Sequence, residues 1–104
     1  MSLSVVEGWT ERIKYTLTAD GATVNLTGMS VTLLLYDVTK TLFSYSGTSG
    51  VDTASSGIVY FDPAATDLLD ANAPYYARWK VTDGAGKVSF FPNSFAEQWT
   101  VRKP

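Results

Sequence analysis

Asp62, Asp67, Asp70 and Asn72 crowd into one stretch of the chain, and carboxylate and amide oxygens are the ligands a hard cation such as Ca²⁺ takes. Their spacing departs from a helix-loop-helix calcium loop, which alternates its ligands, turns on a central glycine and closes on a glutamate. The simpler expectation is a capped short helix with solvated acids: Asp62 caps the first turn, Pro63 takes the first helical position, and Pro74 stops the helix before YYARWKV. No metal ligand set is assigned.

Catalysis has few candidates. The chain contains no histidine and no cysteine, so the commonest general base is missing and neither a Ser-His-Asp nor a Cys-His arrangement can form. Ten acidic residues allow carboxylate pairs of the kind glycoside hydrolysis needs, but none stands in a recognisable context. No catalytic or cofactor-binding residue is assigned, and the protein is expected not to be an enzyme. Trp9, Trp79 and Trp99, with six tyrosines, could line a sugar-stacking platform, which makes a carbohydrate-binding or adhesion module the alternative reading. Trp79 and Trp99 fall in phase with aliphatic neighbours and are expected in the core; Trp9 is freer. Asn25-Leu26-Thr27 matches the glycosylation pattern at a length that arises by chance.

Eight Lys and Arg against ten Asp and Glu give a net charge of −2 without a basic cluster, so nucleic acid is not an expected partner. No apolar run approaches the roughly 20 residues of a membrane span, and no export signal is visible. Residues 1–8 are read as a leader or a disordered segment, and Met1-Ser2-Leu3, which have the form of a cloning leader, are given no weight.

Strands must therefore position whatever the chain presents. In ERIKYTLT, Ile13, Tyr15 and Leu17 share one face and polar residues the other, the period of two of a strand with one wet face. Asp20-Gly21 supplies a turn, after which Val24 and Leu26 resume the alternation. In MSVTLLLYDV, Val31, Leu33 and Leu35 oppose Leu34, Tyr36 and Val38, which predicts a strand covered on both sides. Leu42 lies opposite in phase to Phe43 and Tyr45. GTSGVDTASSG reads as a mobile loop with at most a short strand at Val51, and GIVYF as a compact strand. A symmetric DGAG turn, of two or four residues, pairs Trp79 with Phe90, Val81 with Val88 and Arg78 with Phe91. That register puts Tyr75, Trp79, Phe90, Val81 and Val88 inside, and Tyr76, Phe91, Arg78 and Lys80 outside. Phe95, Trp99 and Val101 alternate in a last strand. The sum is one all-β domain over 1–104, an immunoglobulin-like antiparallel β-sandwich of about seven or eight strands, with one short helix near 63–71.

The run Gly21-Ala-Thr-Val24-Asn-Leu26-Thr27-Gly28-Met-Ser-Val31-Thr-Leu33 resembles the opening of the N-terminal domain of tailed-phage baseplate upper proteins and related small tail proteins. The resemblance continues through Gly57-Ile58-Val59-Tyr60 and a short polar helix, then Tyr76-Ala77-Arg78-Trp79-Lys80-Val81, a glycine-containing turn and Phe91-Pro92-Asn93, so that it covers about residues 10 to 102. It implies an immunoglobulin-like sandwich serving as an assembly module of the virion. The implied partners are other tail or baseplate proteins, with the chain itself as a further candidate, after assembly in the bacterial host cytoplasm. Two departures stand out. Pro74-Tyr75 replaces a glycine often found before the tyrosine of the penultimate hairpin, and the sequence stops at Pro104, where larger members continue into an oligomerising region. The second favours a small accessory or connector protein. The residues expected to form its protein interface are Phe91, Tyr76 and Arg78, with Tyr36 and Leu34 behind them.

Overall fold

A computed structural model describes residues 3–19, 21–91 and 97–103. The described chain forms β1 (Leu3–Val6), β2 (Ile13–Thr16), β3 (Thr18–Ala19), β4 (Ala22–Thr23), β5 (Ser30–Tyr36), β6 (Leu42–Phe43), β7 (Thr48–Thr53), β8 (Ile58–Asp62), β9 (Tyr75–Thr82), β10 (Val88–Phe91) and β11 (Glu97–Arg102). β9 is the spine of a six-stranded sheet: β5 lies along one edge, and β11 and β10 share the other. β6 extends this sheet beyond β5, and β1 extends it beyond β11 as a parallel strand. β2, β8 and β7 make a second, antiparallel sheet, and β3 with β4 a two-stranded ribbon.

The two larger sheets share one core. Val31, Leu33 and Leu35 from β5, Tyr75, Ala77, Trp79 and Val81 from β9, and Trp99 and Val101 from β11 are buried in one cluster with Ile13, Val59 and Phe61 of the smaller sheet. Tyr15 stacks toward Trp79 with ring centroids 6.4 Å apart, and Phe61 lies 6.1 Å from Trp99. Each fully buried large apolar side chain contributes roughly 1.5–3 kcal/mol of burial, and the alternation along β5 and β9 directs that burial to one face. The fold is an all-β, β-sandwich-like domain, the class the sequence predicts. Among the described residues, no helix is long and apolar enough to cross a membrane.

Four local expectations are overturned. The helix near 63–71 does not form; a turn around Ala64–Asp67 and one 3₁₀ turn at Asp70–Asn72 replace it. Asp67 is the reason. Asp67 is 1% exposed and its carboxylate accepts the backbone N–H groups of Ser46, Gly47 and Ala64 at 2.7, 2.7 and 2.8 Å; the bond to Ala64 is local, of the kind that competes with the helical ladder, and the other two tie the segment to distant residues at the entry to β7. Gly47 belongs to the same arrangement, because a Cβ there would run into the carbonyl oxygen of Asp62 and come within 2.9 Å of Asp67 Oδ2.

The Gly/Ser/Thr-rich stretch after β6 is a six-residue strand, β7, rather than a loop. Its glycine is compensated across the strands: Gly50 pairs with Tyr60, whose ring occupies the space where a Cβ would sit at 3.1 Å. The start of the chain also carries structure. β1 pairs with β11, Val5 enters the core, and Glu7 accepts the N–H of Asp70 at 2.9 Å.

The fourth correction concerns register. Trp79 pairs with Phe91, Lys80 with Phe90, Val81 with Ser89 and Thr82 with Val88. The connecting turn is odd in length: the N–H of Asp83 donates to the carbonyl of Lys87 at 3.0 Å, and the three residues between are closed by Gly86 at φ 85°. Strand side chains alternate with a period of two, so one residue of slippage moves the whole of β10 to the opposite face. Phe90 and Val88 thus turn outward and Phe91 packs against the core. Phe95 and Asn93 lie outside the described residues.

Candidate protein interface

On β9, Tyr76, Arg78, Lys80 and Thr82 point away from the core. Their neighbours on β5 are Tyr36 beside Tyr76, Leu34 beside Arg78 and Thr32 beside Lys80, and β6 adds Leu42 beside Tyr36. On the other flank, Phe90 lies beside Lys80 and Gln98 beside Tyr76. Four of the five expected interface residues, Leu34, Tyr36, Tyr76 and Arg78, therefore share one outer face. Phe91 does not; it packs on the core side, and Phe90 takes the outer place.

Cations overlie the rings of this face. The Arg78 guanidinium sits 4.5 Å from the Phe90 centroid, and Lys40 Nζ is 5.6 Å from that of Tyr76, so each ring gains an electrostatic contact and partial cover for its apolar surface. Leu34, Tyr36, Tyr76 and Phe90 remain half-buried. At the ends of the face Leu42 is 61% and Val88 45% exposed. Such an arrangement offers apolar and aromatic side chains together with positive charge.

Asp37 and Asp83 hold the two hairpins that frame the face in the same way. Asp83 Oδ1 accepts the N–H groups of Ala85 and Lys87, and Asp37 Oδ1 those of Thr39 and Thr41. In both loops the fourth residue has positive φ, Gly86 in one and Lys40, at 62°, in the other. Lys40 reaches Tyr76 from this left-handed position. The signal that could have placed Phe90 outside is the spacing Asp83-x-x-Gly86, which marks a three-residue loop ending in a left-handed residue.

The remaining candidates are dispersed. Asp62 receives Arg12 through Nε and Nη2, both at 2.8 Å, Asp52 takes Arg12 Nη1 at 3.2 Å, and Lys14 Nζ lies 3.7 Å from Asp52. The Arg12 guanidinium stacks 4.0 Å from the Tyr60 centroid. Hydrogen bonding to Arg12 holds the Asp62 carboxyl below its ordinary value, the Thr53 hydroxyl does most to lower that of Asp52 with Arg12 adding to it, and Arg12 itself is raised. Asp67 is buried and Asp70 lies near Glu7, so the oxygen cluster of the sequence is not brought together. Trp79 and Trp99 are core residues, as expected, while Trp9 is half-buried with its indole N–H donating to the carbonyl of Glu11 at 3.0 Å. Asn25 Oδ1 accepts the N–H and the hydroxyl of Thr27, a local turn. No protein-family model matches the chain, and no curated protein matches it.

Proposed function

We propose that the protein is a non-enzymatic structural module of a tailed phage, part of the tail or baseplate, that binds neighbouring virion subunits through the outer face of its six-stranded sheet. The observation that carries the interface reading is the convergence of Leu34, Tyr36, Tyr76, Arg78 and Phe90 on that face, with Leu42 and Val88 exposed at its ends. Apolar and aromatic residues set beside arginine have the composition of contact regions, where aromatic residues and Arg are enriched. The phage assignment is supported by the resemblance over residues 10 to 102. A carbohydrate-binding role draws less support, since Trp79 and Trp99 are buried and the ring of Trp9 packs against the core. Peptide mass analysis of purified phage particles tests the assignment: the protein is expected at structural copy number, and its absence from particles that contain every other tail protein would contradict it.

A further inference from the structure

The charge of the chain is unevenly placed. Arg78, Lys80 and Arg102 project from the outer face of the six-stranded sheet, and Lys40 reaches over Tyr76 on the same side. The described strand positions of that face otherwise carry Ser4, Val6, Ser30, Thr32, Leu34, Tyr36, Leu42, Tyr76, Thr82, Val88, Phe90, Gln98 and Thr100, without one acid. The face thus holds four of the eight Lys and Arg, and the other four with all ten acids leave the rest of the chain at −6. Asp37 and Asp83, in the hairpin loops that frame the face, are turned onto the backbone of their own loops.

We infer that this face docks an acidic protein surface carried by a different chain. The inference rests on the reading of the face as a subunit contact and adds the chemistry of what covers it. A two-fold pairing of the face with itself would set arginine and lysine against arginine and lysine, an arrangement that like-charge repulsion opposes. A second copy could instead offer its acids, but those described are already engaged or scattered: Asp67 is buried, Asp52 and Asp62 hold Arg12, and Glu7 accepts the Asp70 N–H. Nucleic acid fits less well than protein. The remaining −6 of the chain repels a phosphate backbone, and Phe90 and Tyr76, the rings on which bases would stack, already carry Arg78 and Lys40. An acidic surface with apolar residues of its own would meet Leu42 and Val88 at two ends of the face, Arg78 and Lys80 between them, and Lys40 and Arg102 beyond the Tyr76 end.

The test uses the whole protein and three probes: a synthetic peptide alternating glutamate with leucine and tyrosine, the same peptide with lysine in place of glutamate, and single-stranded oligothymidylate. The acidic peptide is expected to bind and the lysine peptide not to, with affinity falling about tenfold on raising the salt and on the double reversal Lys80→Glu, Arg102→Glu. Melting temperature verifies that the variant folds; the charge-removing pair Lys80→Met, Arg102→Met serves in its place if it does not. Equal binding of the two peptides, tighter binding of oligothymidylate, or a dimer in sedimentation that the reversal abolishes would each overturn the inference. These results are separable from the phage assignment. Absence from particles with the peptide preference intact removes the assignment alone, and presence in particles without that preference removes this inference alone.

Discussion

Asp67 shows at the scale of one residue why the polar side chains of this domain act as fixtures. Two oxygens accept three backbone N–H groups from two segments, Ser46–Gly47 and Ala64, so the carboxylate ties the entry to β7 to the turn after β8. Asparagine has the same shape but one accepting oxygen fewer. Asp67→Asn is therefore expected to cost about 2 kcal/mol in denaturant unfolding, the order of leaving a buried donor unmatched; a loss within error would mean that water substitutes freely. The exposed acids respond to pH instead. Asp62 and Asp52 are held low by Arg12 and Thr53, and Asp37 by the Thr39 hydroxyl and the backbone of its loop. A carboxylate depressed in the folded state stabilises above its unfolded value, here 3.8, and that contribution is lost as pH falls through the folded values. Stability should hold from neutrality to about pH 4 and then decline. Arg12→Ala should flatten that decline, which melting curves across the acid range would read.

At the scale of elements, the two hairpins that frame the outer face are the informative pieces. The same Asp-anchored, three-residue loop joins β5 to β6 and β9 to β10, with Lys40 in one occupying the left-handed position that Gly86 fills in the other. An L side chain in that conformation costs about 1 kcal/mol or more. Gly86→Ala should therefore destabilise by about that amount, and Lys40→Gly should be neutral or stabilising, a contrast that paired melts would show; equal effects would contradict the shared geometry. The alternation of β9 is legible in the sequence because the strand has one face in a dense core, and period-two patterning is the trace of that asymmetry; β5, apolar on both faces, is expected to be covered on both sides, yet its outer face is exposed at Thr32 and half-buried at Leu34 and Tyr36. The register of β10 is not legible, because hydrophobic character alone cannot choose between Phe90 and Phe91. Only the loop length decides, and Gly86 fixes it through its left-handed conformation. β7 escapes a reading by propensity for a related reason, since its Gly50 is stabilised by Tyr60 on another strand. The helix at 63–71 fails because Asp67 finds partners far away in the chain.

For the whole molecule, the sandwich has one face committed to the core and an outer face that gathers rings and cations from five segments of chain. Leu34, Tyr36, Tyr76 and Arg78 were legible as outward residues of β5 and β9; the inversion at Phe90 and Phe91 supplies the sharpest handle on the claim. The two rings are adjacent in sequence and of one type, yet one packs on the core and the other lies under Arg78. Phe91→Ala should cost about 2–3 kcal/mol, less than a fully buried ring, while the protein that remains folded still enters particles. Phe90→Ala should leave the melting temperature within a few degrees and reduce incorporation into particles when each variant complements a phage lacking the gene. Incorporation of the folded variants, measured side by side, is the most direct test: loss with Phe90→Ala and retention with Phe91→Ala is the result expected, and equal incorporation of both, or the reverse order, would contradict the assignment of this face to assembly.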